Sequence, residues 1–252
     1  MNQAAGGGAP IVFVHGTRLT GAMWRSQIAS LNSMSVVAID LPGHGRRADT
    51  AFTLAAAVDA VAEAIDELGG AAIVVGLSLG GYVAMDLASR SPARVAGLVL
   101  AGATQEPVGL RALPYRGLAQ VLGVADERRL AALNEWYFRS RYPADIAGPI
   151  IADGFWSRGG ADALRALVGE RFLPRLAAYE GPTLVLNGSL DVLFRVGEPA
   201  FVAAARHPRR TVLRGASHLS NLDRPVAFTA AVEDFAREVA GASNGSTSNG
   251  ST

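Results

Sequence analysis

The chain has 252 residues, half of them hydrophobic, and 23 basic against 22 acidic side chains, for a formal net charge of +1. That length can bury a sizeable core in one α/β-type domain, and the scattered, nearly balanced charge points to neither nucleic acid nor an anionic membrane. Every basic residue is arginine and cysteine is absent, which excludes Schiff-base and phosphate-loop lysines, thiol nucleophiles, disulfides and thiolate metal sites. The four histidines show no paired helical spacing, so a zinc site is not expected either.

The first ten residues, MNQAAGGGAP, have neither the charged start nor the apolar stretch of a signal peptide, and no apolar run is long enough for a bilayer. A cytoplasmic protein is the expectation. Ile11 to Val14 reads as a buried strand ending at His15-Gly16-Thr17-Arg18, and a helix is predicted from about Ala22 to Leu31. A second strand, Val36 to Ile39, ends at Asp40-Leu41-Pro42-Gly43-His44-Gly45. Val58, Val61, Ile65 and Leu68 share one face of a helix from about Leu54 to Leu68. Strands follow at Ile73 to Val75 and Val95 to Leu100, then at Thr183 to Leu186 and Thr211 to Leu213, with a closing helix from about Pro225 to Val239. Apolar strands alternating with amphipathic helices imply a doubly wound, mostly parallel sheet, in which ligands bind at the carboxyl ends of the strands.

One region breaks the alternation. Between Gln105 and Tyr179 there is no β-branched run of strand quality, and helices are predicted over Arg111 to Leu122, Glu127 to Ser140, Ala144 to Asp153 and Ala161 to Phe172. These residues, 105–179, read as a helical cap inserted in a core made of 10–104 and 180–240. Its aromatic residues, Trp136 and Trp156 among them, would roof an apolar pocket, although aromatics at helical spacing are more often core. Residues 241–252 contain SNGST twice and read as a disordered polar tail.

The junction of the Ile73 to Val75 strand with the next helix carries Gly76-Leu77-Ser78-Leu79-Gly80. Gly-x-Ser-x-Gly at a strand-to-helix turn is a nucleophile elbow: the serine takes a strained conformation, and the glycines keep Cβ atoms apart where strand and helix approach. The Leu79 N–H at the helix start would face an oxyanion. Alone, the motif is also an ordinary glycine-rich turn. A serine hydroxyl needs a histidine to take its proton and a carboxylate to hold that histidine. Asp191 and His218 each follow a late strand, on the edge where Ser78 lies, and the order Ser, Asp, His is that of the hydrolase arrangement.

Together these residues resemble the α/β-hydrolase family with a helical cap, over nearly all of Pro10 to Val239. The resemblance implies a serine hydrolase with Ser78 as nucleophile, His218 as base and Asp191 as its orienting carboxylate, and it assigns a second oxyanion N–H to Thr17 beside that of Leu79. Serine at the elbow excludes the dehalogenase and epoxide hydrolase branches, which use aspartate, and the missing lysine argues against a plant-type hydroxynitrile lyase. Leu77 departs from the His, Trp or Gln of many relatives. The expected substrate is a small or medium, largely apolar carboxylic ester, with thioesterase, lactonase or carbon–carbon bond hydrolase as variants of the same mechanism and a ligand receptor as the non-enzymatic alternative. No cofactor, metal, nucleic acid or membrane is called for, and the chain is expected as a monomer or homodimer.

Other residues read as structural. His15 and His44 belong to motif turns, His207 to a solvated loop, and Trp24 to the core. Arg18, next to Thr17, is either a solvated loop residue or a side chain that reaches a substrate carboxylate or carbonyl.

Overall fold

A computed structural model of the protein describes residues 8–247. Among these residues six strands form one sheet: β1 Ile11–Val14, β2 Val36–Ile39, β3 Ala72–Leu77, β4 Val95–Ala101, β5 Pro182–Gly188 and β6 His207–Leu213. Their order is β2-β1-β3-β4-β5-β6 and every pairing is parallel. The sheet therefore reverses its strand order at β1, and the crevice beyond the ends of β1 and β3 is the natural ligand site of such a sheet.

Between strands run α1 Arg25–Ser30, α2 Leu54–Glu67, α3 Leu79–Arg90 and, after β5, α9 Val192–Ala204. Alternate strand residues feed two separate cores. Val12, Val14, Val74 and Leu98 face the side covered by α2 and α3, while Ile11, Phe13, Ile73 and Val99 pack with Trp24, Phe228 and Phe235 on the other. Burial on both faces explains why β1, β3 and β4 read as apolar runs. Trp24 is fully buried and stacks on Phe13 at 4.8 Å, in the core as expected.

The predicted helix after β1 is divided, with a 3₁₀ turn over Gly21–Trp24 preceding α1. α9 has no counterpart in the sequence reading because Gly197 and Pro199 lie inside it and read as breakers. The glycine is there for contact: a Cβ at Gly197 would lie 2.0 Å from the Thr104 carbonyl oxygen. His207 is exposed but begins β6 instead of lying in a loop, since the strand runs four residues further back than predicted.

The segment expected as a cap holds α4 Leu113–Val124, α5 Glu127–Arg141, α6 Ala144–Asp153, α7 Ser157–Leu167 and the short α8 Leu173–Ala177, all between β4 and β5. After β6 come α10 Ser220–Asp223 and α11 Pro225–Thr247. The expectation of a disordered tail from residue 241 is corrected for its first part, because α11 continues to Thr247. Its core-packed turn, with Phe228, Val232 and Phe235 buried, supplies the nucleus onto which each further residue adds one hydrogen bond. Residues 248–252 of that tail, like 1–7, lie outside the described residues. Among the described residues no helix is long and apolar enough to cross a membrane.

Candidate active site

Ser78 follows β3 and precedes α3 with φ 53° and ψ −114°. A non-glycine residue held there is strained by about 1–3 kcal/mol and persists only when its surroundings dictate it. Here its N–H donates to the Ala101 carbonyl at 2.8 Å and its carbonyl accepts from the Gly81 N–H at 2.9 Å. The flanking glycines are required by contact: a Cβ on Gly76 would lie 2.3 Å from the Gly80 carbonyl, and one on Gly80 would lie 2.2 Å from the Val14 oxygen. The motif is thus a strand, a helix and the end of β1 brought to backbone contact, with Ser78 at the apex.

Beyond β5, Asp191 is buried at the start of α9, and its carboxylate pairs with His218 Nδ1 at 2.9 Å. An acceptor at Nδ1 holds that nitrogen protonated and leaves Nε2 with its lone pair. Ser78, Asp191 and His218 all line one cavity of about 460 Å³. Thr17, at the end of β1, lines the same cavity. Leu79 is the first residue of α3, where backbone N–H groups lack partners within the helix. Among the described residues neither the Thr17 nor the Leu79 N–H donates to a protein acceptor.

Two histidines hold the rim from behind. Leu41 N–H donates to His15 Nε2 at 2.9 Å, so His15 Nδ1 is the protonated nitrogen and donates to the Gly16 carbonyl. Arg18 N–H donates to His44 Nε2 at 3.2 Å, and His44 Nδ1 donates to the Pro42 carbonyl. Each ring ties the loop after β1 to the loop after β2, the structural role expected of them. Burial, together with repulsion from His44 when that ring is protonated, pushes the His15 pKa down to about 3, and burial lowers that of His44 as well.

From the segment between β4 and β5, Tyr115, Leu118, Tyr137, Phe138, Phe155 and Leu164 line the cavity. Tyr82 donates its hydroxyl proton to the Gln105 carbonyl at 2.7 Å, so at 2.6 Å the Tyr115 hydroxyl must be the donor to Tyr82. Burial pushes the Tyr115 pKa up to about 12. The two tryptophans expected in the roof are not in it. On α5, Asn134 and Phe138 are one turn apart and line the cavity, which turns Trp136 to the opposite side, 66% exposed. Trp156 borders a separate cavity with Ala22, Asp40 and Arg46. Its backbone N–H donates to the Arg18 carbonyl at 3.0 Å, so it braces the loop after β1.

The sequence signature described as the Alpha/beta hydrolase family matches residues 11–232. The chain belongs to the alpha/beta hydrolase family. It is 42% identical to lipase LipV of Mycobacterium tuberculosis over 96 residues, a match spanning 37% of each chain. Against the pimeloyl-[acyl-carrier protein] methyl ester esterase of Edwardsiella ictaluri it is 28% identical over 243 residues, 90% of this chain and 92% of the relative. Among solved structures, a thermophilic esterase from Thermogutta terrifontis superposes with a TM-score of 0.76 at 26% identity, covering 92% of this chain and 90% of that one.

Three residues of this alpha/beta hydrolase contribute to the site without having been singled out in the sequence. Gly102, just after β4, has φ 55°, and a Cβ there would lie 2.9 Å from His218 Nδ1 and 3.3 Å from Asp191 Oδ2. Phe194 stacks on the His218 ring at 4.7 Å. Asn134 accepts a hydrogen bond from Arg18 Nη1 at 3.1 Å. A glycine directly after the strand preceding the cap was a visible signal for the first; the other two had none.

Proposed function

We propose that the chain is a serine hydrolase of small or medium carboxylic esters that works through an acyl-enzyme. The observation that carries this reading is the His218–Asp191 pair at 2.9 Å, lining one cavity with Ser78 on its strained elbow. Ser78 Oγ attacks the ester carbonyl carbon while His218 Nε2 takes its proton, and the carbonyl π electrons move to oxygen. The Thr17 and Leu79 N–H groups stabilise that oxyanion. As the tetrahedral intermediate collapses, the carbon–oxygen bond to the alcohol breaks and His218 returns the proton to the leaving alkoxide. Water then attacks the acyl-enzyme in the same way, releasing the acid and restoring Ser78. No step draws on a cofactor, and the substrate is a small molecule met in the cytoplasm.

Lactones and thioesters pass through the same intermediates, and a screen of all three classes at graded acyl length ranks them. The decisive experiment combines repeated turnover of an activated ester by the purified chain with fluorophosphonate labelling of Ser78 alone. Labelling of a different serine, or one slow turnover followed by tight retention of the product, overturns the reading and favours a ligand receptor.

A further inference from the structure

Arg18 is an unusual residue to find where it is. It lines the active-site cavity one residue after Thr17, and its φ of 69° is one that bulky side chains rarely adopt. Both backbone groups are held, the N–H by His44 and the carbonyl by the Trp156 N–H. The stem is gripped too: α7 comes so close that a Cβ on Gly160 would lie 2.6 Å from Arg18 Cγ. The sequence thus spends a strained backbone and a close helix approach on aiming one guanidinium into the cavity.

That guanidinium has no counter-charge. Among the described residues Arg18 forms no ion pair, and its side-chain partner is the neutral amide oxygen of Asn134. Since arginine offers only donors, the Asn134 oxygen must face it, which leaves Asn134 Nδ2 as a donor; that nitrogen is buried without a partner. Seven N–H groups of the two side chains therefore share a single acceptor in use. Among the described residues of the lining, the Asp191 carboxylate is already engaged by His218 Nδ1. Burial without compensation also lowers the Arg18 pKa, in keeping with a cation waiting for an anion. A half-buried, rigidly held and unpaired arginine is a costly structural element and an efficient ligand for a planar anion.

Resting on the ester-hydrolase reading, we propose that the natural substrate carries a free carboxylate a few carbons from the scissile carbonyl, and that Arg18, braced by Asn134, binds it. Both oxygens of a carboxylate can meet the guanidinium fork, and its single negative charge matches the one cation that lacks an ion pair among the described residues of the lining. A phosphate dianion would bring a second charge towards Asp191 with nothing to offset it. The rest of the wall, with Leu19, Leu118, Phe155 and Leu164, suits a methylene chain between the two carbonyl groups. Carboxylate binding by Arg18 beside the Thr17 N–H would fix the reacting carbonyl against Ser78, so the charge acts on the chemical step as well as on binding.

The test compares matched esters on the intact protein: 4-nitrophenyl hemiesters of succinate, glutarate and adipate against the neutral 4-nitrophenyl esters of butanoate, pentanoate and hexanoate. The expected result is a kcat/KM preference for at least one hemiester over its neutral partner on the order of tenfold to a hundredfold. Arg18→Gln should bring that ratio close to one, and Arg18→Lys should restore part of it. In the unmodified chain, free glutarate should slow fluorophosphonate labelling of Ser78 more than inorganic phosphate does. Neutral esters hydrolysed as well as, or better than, every hemiester overturn the carboxylate site and leave the hydrolase standing. Should Arg18→Gln lower all six substrates by one common factor, the residue is structural and the proposal falls. Turnover that survives in Ser78→Ala overturns the underlying hydrolase reading instead.

Discussion

The Phe194 ring lies against the His218 imidazole, 4.7 Å between centroids and 19° between planes. Phe194 is buried in the first turn of α9, three residues after Asp191. The helix that supplies the carboxylate to His218 Nδ1 therefore also supplies the surface on which the imidazole rests. Phe194→Leu keeps most of the apolar volume but loses the flat face, and should lower kcat by up to about tenfold with little change in KM. The kcat and KM split checks this; a change in KM alone would place Phe194 against substrate instead of against His218.

Ser78→Ala should remove nearly all turnover, a loss on the order of 10⁴ or more, while the fold and its melting temperature are kept. Relief of the strain at φ 53° is small, since alanine meets the same restriction there. Circular dichroism together with single-turnover assays separates this from a folding defect.

Gly102→Ala tests the space beneath the histidine. The new methyl would sit 2.9 Å from His218 Nδ1 in a backbone at φ 55°. The imidazole must then shift, and a misplacement near 1 Å costs about a hundredfold in kcat. Stability should fall by only about 1–2 kcal/mol, the cost of an L side chain at that φ. Equal loss of activity in Gly69→Ala, where φ is 105° and no atom lies within 4 Å of the added Cβ, would show that backbone strain alone is responsible.

The roof is testable against the exposed face of the same cap. Trp136→Ala, on a side chain 66% exposed, should change stability by about 0.5 kcal/mol or less and leave the ranking of acyl chain lengths unaltered. Leu118→Ala and Phe155→Ala, which enlarge the cavity, should move that ranking towards longer chains. A shifted ranking in Trp136→Ala, measured over the same ester series, would contradict the assigned lining.

The neutral histidines behind the rim set an acid limit on the fold. His15 is held neutral to about pH 3, whereas its ordinary pKa is 6.5. Below 6.5 the unfolded chain takes up a proton that the folded chain refuses, so the stability His15 contributes is complete above that pH and is lost as the pH falls. The slope is about 1.4 kcal/mol per pH unit for one such group, and His44, lowered in the same direction, adds to it. Melting temperatures between pH 7.5 and 4.5 should decline accordingly, and His15→Gln, though less stable overall, should show a shallower decline. Parallel declines in the two proteins would remove His15 as the cause.

Much of this arrangement is written locally. Continuous apolar runs at Ile11 to Val14 and Ile73 to Val75 identify two-faced buried strands, because a parallel sheet covered on both sides leaves no polar face to alternate with. Ser78, Asp191 and His218 could be placed at strand ends because consecutive parallel strands all point the same way, so their ends must share an edge. What the sequence could not supply was helix phase and long-range proximity. Periodicity groups Asn134, Phe138 and Trp136 on one helix but does not say which side the sheet lies on; only the packed cap turns Asn134 and Phe138 inward and Trp136 out. Arg18 and Asn134 meet across 116 residues of chain, and Phe194 finds His218 from a helix that its own Gly197 and Pro199 disguise. Those contacts depend on how the cap and α9 settle on the sheet, a balance of burial and close approach among distant residues that no local pattern records.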